Sequence, residues 1–431
     1  PITESSEKPE CCFFSATIFP TSPNRSESRM KLLLRFAYAV LIIAGCSLAL
    51  AWVTRGNLPE GARTFDQEEL AEVEEWRNLQ PPPGQPDSPH VDKQYPLKPG
   101  DPAYPKSESP ILEGLVAEGK LPPVAERVGP EPVVLNGPDG PGNFGGTWLR
   151  VQTAGSTSFW TRMANPSLLR GNYLGTGFVP HLAKSYEVSD DHRTYTFRLR
   201  EGVRWSDGHP LTAEDFGYWW QDANREGNGH SSLNIGGEMG RLEVVDKYTI
   251  RFHFPLPNPT FPYAVARTGS SFAMPKHYLY QYDPDFGDDA KIREMMEISG
   301  SISEKSLFGK LNSIDNPACP QLTPWIVREY RPNAPYVLVR NPYYWAVDIE
   351  GRQLPYMDRV IFTQKEQDYL PLTASQGGVT FQYRKLERDS YSVLMSSRKQ
   401  NNYRVYHWVP QNANKFTLFT NHDRYVDPNN P

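Results

Sequence analysis

Five carboxylates of one stretch of this chain stand out: Asp190, Asp191, Asp207, Glu214 and Asp215. Such groups could serve general acid–base chemistry, and with the chain's many aromatic residues they would suit a secreted hydrolase acting on a sugar. Each also has a local structural role. Asp190 and Asp191 precede a strand, where a short acidic side chain bonds its own backbone. Asp207 sits in a Ser-Asp-Gly turn, and Glu214 and Asp215 fall in the first turn of a helix opened by Thr212. The structural role is the one expected of each, so no catalytic residue is assigned. Other chemistries lack their residues. There is no nucleophile elbow and no HExxH motif, and the histidines are scattered. Of Cys11, Cys12, Cys46 and Cys319, only Cys319 lies in the globular part, so neither a disulfide framework nor a zinc spacing is present there. No metal or cofactor is expected. The net charge of −5 offers no basic surplus for nucleic acid.

The elements around these carboxylates are legible. Arg193–Arg200 alternates, with Tyr195, Phe197 and Leu199 on one face and Thr194, Thr196 and Arg198 on the other, the two-residue period of a half-buried strand. Val203–Trp205 is a short extended piece and Ser206–Gly208 a turn. Thr212 opens a helix on which Asp215 only approximates the Glu of a capping box. Trp219 and Trp220 on that helix are expected to pack. Gly145–Gln152 is expected to be the first strand. Leu242–Phe254 reads as a hairpin turning at Asp246-Lys247, stopped by Pro255, Pro257 and Pro259. Tyr336–Trp345 and Gln353–Phe362 each carry a further strand. Strands mixed with helices over 431 residues give an α/β (mixed α+β) chain of two or more domains.

The N-terminal quarter is different. Residues 1–29 are polar and irregular. Met30 begins a basic flank and an apolar run to Val53, the pattern of a secretory signal or membrane anchor. Met30 is the natural start, with 1–29 an upstream extension. Ile43-Ala-Gly-Cys46 resembles a lipobox, which would make Cys46 a lipidation site. The chain stays apolar past Cys46, which favours an uncleaved anchor or ordinary signal. Phe65–Trp76 reads as an acidic amphipathic helix, and the prolines from Pro81 to Pro89 as a stiff tether. Ile111–Pro123 reads as a helix ended by Gly119 and prolines.

Together these segments resemble the family 5 solute-binding proteins, the peptide- and nickel-type binding components of ABC importers. The run His181–Phe216, the Glu243–Thr249 hairpin, Arg340–Trp345 and Leu354–Arg359 carry the resemblance by their order and spacing. It implies a periplasmic-binding-protein-like clamp of two lobes with an inserted subdomain. The base lobe would be 143–173 and 271–382, and the inserted subdomain 174–270. Residues 30–55 would be the signal or anchor, 56–142 a linker and docking segment, and 383–431 the start of a second lobe that is largely missing. The implied function is extracytoplasmic delivery of oligopeptides or a similar oligomeric solute to ABC permease subunits, with membrane attachment through the N-terminal segment. A membrane-tethered sensor or scaffold of the same fold is the alternative.

The resemblance also implies site residues. The loop Thr153-Ala154-Gly155-Ser156 matches a position that faces the cleft, although an ordinary strand exit explains it equally well. Phe419 and Asn421 match a strand bordering the cleft, with core packing the other role for Phe419. Tyr383 and Arg384 fall in the first hinge crossing. Tyr403–Val409 and Lys415–Asn421 match the first strand pair of the second lobe.

Overall fold

A computed structural model describes residues 35, 37–38, 40–46, 71, 89–137, 140–153, 166–172, 177–225, 233–267, 272–328 and 335–406. The chain divides into two units, 1–64 and 65–431. In the first, residues 40–46 are helical with exposed side chains, and Cys46 is a free, exposed thiol. Among the described residues no helix is long and apolar enough to cross a membrane. The expected helix at Phe65–Trp76 and the tether before Pro89 lie outside the described residues, Ala71 and Pro89 excepted.

The second unit opens with a strap, residues 89–137. It holds helices α1 (Pro110–Ala117) and α2 (Val124–Val128) and strand β1 (Val133–Leu135). Pro110 starts α1, where its missing N–H costs nothing, and Gly119 beyond the helix takes a φ of 68°. A short strand therefore precedes β2 (Thr147–Gln152), which had been expected to come first. A small hairpin, β3 (Leu169–Gly171) and β4 (Phe178–Pro180), leads into β5 (Ala183–Val188) and β6 (Thr194–Leu199). Helix α3 (Ala213–Ala223) follows the Gly208 turn. Next come a two-residue hairpin, β7 (Asn234–Ile235) and β8 (Glu238–Met239), and the longer hairpin β9 (Arg241–Asp246) and β10 (Thr249–His253). Helices α4 (Phe261–Arg267), α5 (Lys276–Leu279), α6 (Asp289–Ser299) and α7 (Glu304–Leu311) precede β11 (Trp325–Val327), β12 (Tyr336–Arg340), β13 (Ala346–Asp348) and β14 (Arg359–Gln364). Helices α8 (Tyr369–Ser375) and α9 (Tyr391–Ser397) come last.

Two four-stranded sheets organise these elements. The antiparallel order β5-β6-β10-β9 uses the alternation in β6: Tyr195, Phe197 and Leu199 are buried, and Arg198 is exposed. Phe197 meets Phe252 edge-on at 6.0 Å, and Phe216, Tyr218 and Trp219 of α3 join the same core. Fully burying such a side chain contributes about 1.5–3 kcal/mol. The second sheet, β11-β12-β14-β2, is antiparallel except for its last pair, where β14 and β2 run parallel. The mixed α/β class is therefore the observed one.

The strap is integral to this body. β1 pairs with β13 in parallel, matching Val133 with Ala346. Leu97, Ala103, Val124, Val128, Val134 and Val347 form their own buried cluster. Arg127, fully buried, pairs with Glu108 and donates to the carbonyl of Pro342 and, at 3.1 Å, to Gln353. Gly129, at φ 83°, lies so close to Gly202 that a Cβ there would sit 2.7 Å from the Gly202 Cα. Only glycine fits that approach.

Of the strand expected at Tyr403–Val409, residues 407–409 lie outside the described residues. Residues 403–406 are irregular. The Tyr403 N–H bonds the Arg398 carbonyl at 3.1 Å and its hydroxyl bonds the Leu394 carbonyl at 2.5 Å, so Tyr403 closes the end of α9.

Candidate functional site at the carboxyl edge of β2

In open α/β sheets, ligands gather beyond the carboxyl ends of parallel strands. Here the parallel pair is β2 and β14. Alternation along β2 places Trp148, Arg150 and Gln152 on one face. Their register partners on β14 are Val360, Phe362 and Gln364.

Arg150 is only 5% exposed and sits in a box of rings. Its guanidinium carbon lies 5.1 Å from the Trp148 ring centre, 5.7 Å from Phe362 and 5.3 Å from Tyr383. Ring faces carry negative potential, so three of them stabilise a cation removed from water. Gln152, two residues on, is 7% exposed. Its main-chain carbonyl accepts the Lys365 N–H at 2.9 Å, but its side-chain Oε1 is buried without a hydrogen-bond partner.

The free edge of β2 is covered by residues 380–384, and mostly by side chains. The Thr380 N–H bonds the Leu149 carbonyl at 3.1 Å, and the Thr380 hydroxyl accepts the Leu149 N–H at 2.6 Å. The Gln382 amide does the same for Val151. Its Oε1 accepts the Val151 N–H at 3.3 Å, and its Nε2 donates to the Val151 carbonyl at 3.1 Å and to the Arg384 carbonyl at 2.9 Å. The Trp148 indole donates to the Phe381 carbonyl at 3.3 Å. Trp325, Trp148, Phe381 and Tyr383 form a row with successive ring centres 5.8, 5.9 and 6.2 Å apart. Phe381 is 52% exposed and Tyr383 40%.

Of the residues expected at a site, Thr153 is half-buried at the exit of β2, and Tyr383 and Arg384 lie on the segment beside it. Ala154, Gly155, Ser156, Phe419 and Asn421 lie outside the described residues. Arg150, Gln152 and Gln382 were not anticipated. A signal for the first two was present: Thr147–Gln152 places two polar side chains in period with Trp148, on the face that should have been apolar.

The five carboxylates are elsewhere. Asp191 accepts the Ser189 hydroxyl at 2.6 Å and the Arg193 N–H at 3.1 Å. Burial alone would raise the Asp207 carboxyl, but hydrogen bonds from His277, at 2.7 Å, and the His209 N–H, at 3.1 Å, hold it below its ordinary range. Burial pushes the Asp215 carboxyl up, against bonds from the N–H groups of Thr212 and Lys276 and the Trp205 indole at 3.0, 3.2 and 3.4 Å. Glu214 pairs with Lys276 at 2.8 Å. The contacts of Asp191, Asp207 and Asp215 include those of turns and a helix cap, and that of Glu214 is an ion pair. Among the described residues no group of three or more His, Cys, Asp or Glu could hold a metal ion.

Two concavities elsewhere include no residue of β2 or of the covering segment. A groove of about 560 Å³ is lined by Asp222, Arg225, Ser303, Lys305 and Phe308 among others. A cavity of about 110 Å³ lies beside Trp205, Cys319 and Gln321.

Comparison with known proteins gives these contacts a context. Residues 177–427 match the model of the bacterial extracellular solute-binding proteins, family 5, middle region. The periplasmic alpha-galactoside-binding protein of Rhizobium meliloti (strain 1021) is 32% identical over 278 residues, which are 58% of this chain and 38% of that protein. Among solved structures, an oligopeptide-binding protein OppA aligns with a TM-score of 0.66 at 35% identity, over 70% of this chain and 49% of that one. The periplasmic binding protein MelB of Agrobacterium fabrum C58, in complex with stachyose, aligns at 0.51 and 26%, over 69% of this chain and 46% of that one. The chain thus spans less than half the length of each of these three relatives.

Proposed function

Because this chain belongs to the bacterial extracellular solute-binding proteins of family 5, we propose that it is the binding component of an ABC importer and takes an oligosaccharide at the carboxyl edge of β2. The observation that carries the sugar reading is the set of side chains at that edge. They are rings and amides: Trp148, Phe381 and Tyr383 with Gln152 and Gln364. Apolar faces of sugar rings stack on aromatic side chains, and hydroxyl groups bond amides. The likeness to an alpha-galactoside-binding protein and to a stachyose complex supports the same reading.

The oligopeptide first expected is the second reading, supported by the alignment with the oligopeptide-binding structure. In either case the proposed architecture is a clamp, with a base lobe of 143–173 and 271–382, an inserted subdomain of 174–270 and a second lobe beginning near 383. The bonds that hold 380–384 to β2 run mostly through side chains, which suits a hinge, and binding would shift an open–closed equilibrium. Export and attachment through residues 30–55, with or without lipid on Cys46, complete the proposal; membrane fractionation of the wild type and of Cys46→Ser tests that part.

Calorimetric titration of the full chain with stachyose and with tetra-alanine tests the ligand class. Saturable binding of stachyose alone is expected. Binding of the peptide alone would replace the first reading with the second, and appearance of cleaved sugar would overturn binding without catalysis.

A further inference from the structure

We propose that the side-chain carbonyl of Gln152 is the acceptor for a hydrogen-bond donor of the bound solute, an O–H or an N–H. The inference rests on the solute-binding reading above and deepens it. Two of the glutamines at this edge are used differently. The Gln382 amide is committed: it serves both main-chain groups of Val151 and the carbonyl of Arg384. Gln152 has its main-chain oxygen satisfied by Lys365, yet its side-chain oxygen is desolvated and receives no donor. Native structures rarely leave a buried acceptor idle, because it forfeits hydration without replacing it. An apolar residue of the same shape would pack there without that loss.

The surroundings say what kind of group would complete it. Gln152 follows the boxed Arg150 on the same face of β2, and Gln364 stands beside it in register. Thr153, next along, leaves the sheet at its carboxyl edge. The cation of Arg150 is covered by rings, so the group Gln152 offers is a neutral acceptor. A sugar hydroxyl and a peptide N–H are both donors of the right kind.

The test is Gln152→Met in the full chain, which keeps the length of the side chain and removes the acceptor. In the absence of any solute, Tm by scanning fluorimetry is expected to rise by about 2 °C, since an unpaired buried oxygen is lost. Affinity for the probe that binds, stachyose or tetra-alanine, is expected to fall about tenfold or more. Loss confined to one probe identifies the donor as hydroxyl or N–H. An unchanged or lower Tm would show the oxygen to be structurally satisfied and overturn the inference. A raised Tm with unaltered affinity would overturn it too, while leaving the solute-binding reading in place. Failure of both probes to bind the unaltered chain would remove that reading and the inference with it.

Discussion

Arg170 can only donate a hydrogen bond, and this sets the tautomers of two histidines. Its Nε–H reaches His181 Nε2 at 3.2 Å, so the proton of the neutral His181 ring is on Nδ1. His181 Nδ1 lies 3.2 Å from His90 Nε2, which must therefore accept. A proton on that nitrogen would face another proton. Burial, with Arg170 and Arg200 nearby, lowers the His90 pKa to about 4. The folded state thus disfavours a proton that the unfolded chain takes up near pH 6.5. The contribution to stability is complete above about pH 6.5 and is lost as pH falls toward about 4. Tm measured across this window should decline, and His90→Gln should flatten part of the decline. A variant that tracks the wild type at every pH would show that His90 is not the group responsible. Cys319 lies at the opposite extreme: burial pushes its thiol up to about 12, which leaves it unreactive at neutral pH.

At the level of elements, two devices are open to measurement. Asp215 takes the Glu position of a capping box on α3 and also receives donors from Lys276 and Trp205. Asp215→Ala would strand these donors and should cost about 2–4 kcal/mol in denaturant unfolding, more than the roughly 1 kcal/mol of an isolated cap. The other device is the Gln382 clip on β2. Gln382→Ala should speed hydrogen exchange at the Val151 amide by about tenfold or more, with little change in β6 and β10. Uniform acceleration across both sheets would show that the segment holds the fold and not the edge alone. The difference in legibility between the two is physical. Thr212 and Asp215 are three positions apart, so the cap is written locally. Gln382 meets Val151 across 231 residues, and no local pattern encodes that encounter.

For the whole molecule, the strap matters most. Residues 89–137 contribute β1 to a sheet with β13, and their apolar side chains enclose Val347. Arg127 is the buried pin, with Glu108, Pro342 and Gln353 around it. Arg127→Ala would leave the largely buried Glu108 carboxylate unpaired. A loss of about 3–5 kcal/mol is expected in chemical denaturation, because one half of a buried pair is costlier than none. A loss below about 1 kcal/mol would mean that the strap is dispensable to the fold.

The sequence by itself determined the strand from Thr194 to Leu199, the Gly208 turn, the α3 cap and the family, because each depends on residues within a few positions of one another or on their order. It also carried, unread, the oddity of Arg150 and Gln152 in period with Trp148. Only the tertiary structure decided what that oddity is. The box around Arg150 takes rings from β2, from β14 and from the segment after α8. Gln152 comes to lie beside Gln364 through parallel pairing. Parallel strands need a long connection between them, so their register is set by the packing of the whole sheet and not by any turn. The pairing of β1 with β13 is of the same kind, and it packs part of the expected linker and docking segment around Val347.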